Sequence, residues 1–96
     1  MGARAQVIDG YLEPAGFLAV AALSAAAELT VPPDAKLALI QAEGEDVRWR
    51  DDGTDPTDSA GMLLEAGQTL VYNGNLQAIR LIEATASATL NVSFYK

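Results

Sequence analysis

Breaks rich in Gly, Pro, Asn and Asp punctuate this chain at intervals of about ten residues, the spacing of an antiparallel sandwich or small barrel. They fall at Val31-Pro32-Pro33-Asp34, Glu43-Gly44-Glu45, Asp51–Ser59, Glu65-Ala66-Gly67-Gln68 and Asn73-Gly74-Asn75. The runs between them are short and apolar or alternating. Lys36–Gln41 reads as a half-buried strand. Asp46–Arg50 alternates, so Val47 and Trp49 face one way and Arg48 and Arg50 the other. Met62-Leu63-Leu64, Thr69–Tyr72 and Ala78–Ile82 follow as strands, and Thr89–Tyr95 places Leu90, Val92 and Phe94 on one face. Asn73-Gly74-Asn75 reads as a tight turn, because Asn and Gly tolerate positive φ. There is no alternation of strands with helices, no internal repeat and no heptad pattern.

The expected fold is all-β: a small antiparallel β-sandwich or jelly-roll-like barrel of about seven or eight strands. Residues 1–14 read as an N-terminal arm ending at Pro14, and residues 15–96 as a single β-sandwich domain. Residues 15–27, AGFLAVAALSAAA, admit three readings. Gly16 and the later Leu29-Thr30-Val31 point to strands on either side of a turn near Ser24. The alanine content suits a helix. The apolar run followed by small residues resembles a secretion signal, but Asp9 and Glu13 cancel the positive region such a signal needs. The run is too short to span a bilayer as a helix, and no membrane partner is expected.

Composition removes whole classes of chemistry. With no Cys and no His there are no disulfides, no thiolate or imidazole catalysis, and almost no route to a zinc site. The serines have no histidine to activate them, and no glycine-rich phosphate loop is present. The chain reads as a non-enzyme without a cofactor. Thirteen acids against six bases give a net charge of −7, which repels phosphate backbones and argues against nucleic acid as a partner. Glu43, Glu45 and Asp46 sit on a polar break with no sign of a cleft between them. The acid-rich loop Asp51, Asp52, Asp55 and Asp58 offers oxygens to a hard cation, but its spacing fits no EF-hand. It reads first as a solvated turn.

The stretch VRWRDDGTDPT carries the candidate contacts. Trp49 on an apolar strand face reads as a core anchor. Arg48 and Arg50 then point outward, either into local pairs such as Arg50 with Asp52 or Arg with Glu45, or into an interface with another subunit. Trp and Arg are also the residues that most often dominate protein interfaces. Val7, Ile8 and Tyr11 of the arm are further interface candidates. An exposed Tyr72 beside Asn73 and Asn75 offers a surface on which a sugar could stack.

The run from Ala38, ALIQAEGEDVRWRDDGTDPTDSAGMLLEAGQTLVYNG, followed by AIRLIEATASATLNVSFY, resembles a group of small virion-associated structural β-proteins of tailed bacteriophages and prophages. The likeness covers about residues 27–95, and RWRDDGTDPT carries most of it. The resemblance implies a bacteriophage structural protein located in the virion. The favoured role is a capsid decoration, or cement, protein on the head exterior that stabilises the lattice of the major capsid protein. It also implies a homo-oligomer, a trimer by preference. The alternative is a tail-, neck- or fibre-associated adaptor or host-attachment module.

Overall fold

A computed structural model describes residues 12–96. The chain forms eight strands and, among the described residues, no helix: β1 (Pro14–Val20), β2 (Ala27–Glu28), β3 (Leu37–Glu43), β4 (Val47–Arg50), β5 (Met62–Leu64), β6 (Thr69–Tyr72), β7 (Arg80–Glu83) and β8 (Thr89–Tyr95). They make two four-stranded sheets, ordered β1-β8-β3-β6 and β2-β7-β4-β5.

Every pairing is antiparallel. β1 pairs with β8, β2 with β7, β3 with β6, and β4 with β5. These four pairs nest like one long hairpin folded at its middle, and they fall alternately in the first and second sheet. The β3·β8 and β4·β7 pairings then close each sheet. A long antiparallel ribbon rolled in this way is an eight-stranded jelly roll.

The core lies between the sheets. β8 shows why these residues make a strand: Leu90, Val92 and Phe94 are fully buried and alternate with half-buried Thr89, Asn91, Ser93 and Tyr95. Ala38, Ile40 and Ala42 of β3 meet the same interior, with Val47 and Leu81 from the opposite sheet and Ile79 just before β7. Each large apolar side chain so buried contributes about 1.5–3 kcal/mol.

Three readings of the sequence need adjustment. Residues 15–27 form the strand, bend and strand expected about a turn near Ser24, with the bend at Ser24-Ala25, but the strand bounds shift. Leu23 is buried there as the chain crosses between sheets, and its carbonyl accepts from the Glu83 amide at 2.9 Å. The short strand after the bend is Ala27–Glu28, one step ahead of the expected Leu29–Val31. Pro14, placed at the end of an arm, is the first residue of β1, and Glu13 exchanges backbone hydrogen bonds with Lys96.

The third adjustment concerns Asn73-Gly74-Asn75. β6 and β7 lie in different sheets, so these residues belong to a crossover and not to a hairpin turn. Gly74 does not take a positive φ. Its reason is close approach: a Cβ there would lie 2.5 Å from the Tyr72 hydroxyl oxygen and 2.7 Å from Cζ. The glycine lets the chain pass over the Tyr72 ring.

Candidate interaction face

β4 places Trp49 toward the interior and Arg48 and Arg50 on the outer surface of the β2-β7-β4-β5 sheet, as alternation predicts. Trp49 is half-buried against the core, and its ring meets Tyr72 edge to face at a centroid distance of 5.9 Å. Tyr72 is itself buried, with 7% of its surface exposed, so it cannot serve as an open platform for a sugar. Its hydroxyl donates to Asp51 Oδ2 at 2.7 Å, and burial together with that carboxylate pushes its pKa up to about 12.

The two arginines do not reach outward as free contacts. The loop between β4 and β5 folds back over Arg48, with Pro56 buried and a small bridge between Thr57 and Ala60. The Arg48 Nη1 donates to the Gly61 carbonyl at 3.2 Å. Gly61 must be a glycine, because its φ is +138° and a Cβ would meet Trp49 O, Pro56 Cβ and Arg48 Cβ at 3.1, 3.2 and 3.3 Å. Arg50 grips Asp52 with both Nε and Nη2, at 3.0 and 2.6 Å, and that guanidinium holds the Asp52 carboxyl down at about 2. Across the sheet, Arg50 lies opposite Arg80, which pairs with Glu28 at 3.5 Å. The arginines are thus mostly engaged within their own molecule, and neither contacts Glu45.

Among the described residues no three acids come together as a possible metal-binding group. Asp51 accepts from Tyr72, and Asp52 is taken up by Arg50. Glu43 accepts from Asn91 Nδ2 at 2.7 Å, and Asp46 accepts from the Ala66 amide at 2.8 Å. The break at 43–46 is therefore a braced turn and no carboxylate pair. An open depression of about 430 Å³ lies between Pro56, Thr57 and Asp58 of the loop and Ile82, Glu83 and Ala84. Of the sequence-predicted contacts, Val7, Ile8 and Tyr11 lie outside the described residues.

Exposed apolar side chains remain on both sheets: Met62 and Leu63 on β5, and a longer row on the other sheet. Registers of the β1-β8-β3-β6 sheet put Phe17, Ser93, Leu39 and Val71 in one row across its outer face. Phe17 is 68% exposed and Val71 59%. Leu37 and Tyr95 pair in the neighbouring outward row, two residues along each strand. Beyond the apolar row comes a polar one of Ala19, Asn91, Gln41 and Thr69. There Asn91 Nδ2 bridges Gln41 Oε1 and Glu43 Oε1 at 3.2 and 2.7 Å. A flat face, apolar at one end and rich in amides at the other, is suited to protein contact.

The local trace of this face in the sequence was the apolar run through both faces of β1 and β3. A strand with a solvated outer face should alternate, and neither Gly16–Ala19 nor Leu37–Ile40 does. Comparison with protein-family models, curated proteins and solved structures returned no match.

Proposed function

We propose that this chain is a bacteriophage structural protein of the capsid-decoration kind. In this reading it binds the outside of the head and stabilises the lattice of the major capsid protein. The observation that carries the proposal is the apolar row on the outer face of a sheet, where half-buried Leu39 lies between exposed Phe17 and Val71. Such a row on a domain of net charge −7 is a place to meet another protein, not solvent. The resemblance of residues 27–95 to small virion β-domains supports a virion protein as that partner.

The energetics suit a repeated lattice. Covering three partly exposed apolar side chains contributes about 1–3 kcal/mol each, which is modest against the cost of association. Many copies on one pre-built shell make modest contacts sum to a large effect. The test is copy number in purified virions, measured by quantitative mass spectrometry against the major capsid protein. Hundreds of copies per particle support decoration. A handful or a dozen would overturn it and turn the search to a ring in the neck or tail.

A further inference from the structure

We infer that the free edge of β1 is a seam at which a second copy of this chain docks, strand to strand and antiparallel. Among the described residues β1 pairs only with β8, so its other edge carries a row of unpaired backbone donors and acceptors. It is the longest edge strand of the molecule at seven residues; the other edges, β6, β2 and β5, have four, two and three. Natural edges are usually blunted by charge, brevity, proline or a bulge; this one has neither charge nor brevity, and its Pro14 and bulge lie at one end.

Two further observations point to another copy as the occupant. No charged residue occurs from Pro14 to Ala27, so a like-charged copy can approach this edge without repulsion. Among the described residues the sandwich is also incomplete on this side. Leu18 and Val20 face inward beside Val92 and Leu90, yet they stay half-buried while those partners are fully buried. The strand near them in the facing sheet, β2, has only two residues.

A two-fold axis near Phe17 supplies what is missing. Each β1 gives the other its backbone hydrogen bonds, and the two Phe17 rings come together on the outer face. The two sheets then fuse into one of eight strands, β6-β3-β8-β1 running into its symmetry mate. The bulge between Pro14 and Gly16 confines regular pairing to the stretch from Gly16 onward. The resulting symmetry is two-fold, where the resemblance implied a trimer. This inference does not depend on the virion role, since it concerns the purified chain alone.

Sedimentation equilibrium on the purified chain tests it, beside Phe17→Asp and a chain lacking residues 1–11. The expected result is a reversible dimer for the full chain. Phe17→Asp, which opposes two carboxylates at the seam, should weaken dimerisation roughly tenfold or more, with an unchanged circular dichroism spectrum. The shortened chain should dimerise as the full one does. A monomer at every concentration, a trimer, or a dimer indifferent to Phe17→Asp would each overturn the inference. Loss of the dimer in the shortened chain would also overturn it, because the seam would then belong to the N-terminal segment.

Discussion

The Tyr72 hydroxyl donates to Asp51 Oδ2 at 2.7 Å, tying the end of β6 in one sheet to the residue that follows β4 in the other. With the Trp49 ring against Tyr72, this contact pins the two sheets together at the root of the acidic loop. Tyr72→Phe keeps the ring and removes the donor. It should cost about 1 kcal/mol at neutral pH, measured by urea denaturation, since Asp51 is solvent-exposed and is not left buried without a partner.

The same contact has a pH signature. The Tyr72 hydroxyl ordinarily titrates near 10 and is pushed up to about 12, first by burial and then by Asp51. The fold therefore favours the protonated hydroxyl. Its contribution is complete below pH 10 and is lost as pH rises from there through about 12. The stability advantage of the parent over Tyr72→Phe should shrink across that window. An advantage that stays constant to pH 12 would show the hydroxyl is not held as described.

Gly74→Ala should destabilise the fold by about 1–3 kcal/mol, because the new methyl would overlap the Tyr72 ring and force it or the crossover to move. Thermal unfolding reads this directly. A neutral substitution would mean that the crossover passes Tyr72 with room to spare. The glycine was visible in the sequence, but its purpose was not. Local propensity reports that Asn73-Gly74-Asn75 can turn tightly, and it carries no information about which sheet the next strand enters.

The same boundary runs through the rest of the molecule. β6 and β8 follow from alternation and turn chemistry residue for residue, as does the inward Trp49 with outward Arg48 and Arg50. Arg50 takes the local pair with Asp52 that the sequence offered, whereas what Arg48 does is set by a loop that returns across it, a long-range event with no local trace. The outward row of Phe17, Leu39 and Val71 joins residues from three strands, and only the register of the folded sheet aligns them. The burial of Tyr72 likewise depends on the crossover above it and on Trp49 from the facing sheet.

Arg50→Ala should return Asp52 to the ordinary carboxylate range from about 2, because the guanidinium is the main cause of its depression. A carboxyl carbon NMR titration of both proteins reads the shift. The depressed value means that the pair supports the fold above the ordinary Asp pKa and stops doing so as pH falls toward 2. Both side chains are solvent-exposed enough that the change in global stability should be small.

Arg48→Ala should loosen the loop over the β2-β7-β4-β5 sheet and leave the outer face of the other sheet untouched. The lost hydrogen bond to Gly61 should cost about 1 kcal/mol. Limited proteolysis should cut faster within residues 51–60. Unchanged cleavage would show that Pro56 alone seats the loop.

The central claim is that the outer face of the β1-β8-β3-β6 sheet is the surface that meets the virion. Val71 tests it well, because it is exposed, lies on β6 at the far edge from β1, and sits outside the core. Heads produced without this chain would be mixed with the purified parent or with Val71→Asp, and bound copies counted by quantitative mass spectrometry. The account predicts hundreds of parent copies per head and few of the variant, with both proteins equally folded. Equal binding of the two, or binding of neither, would contradict it.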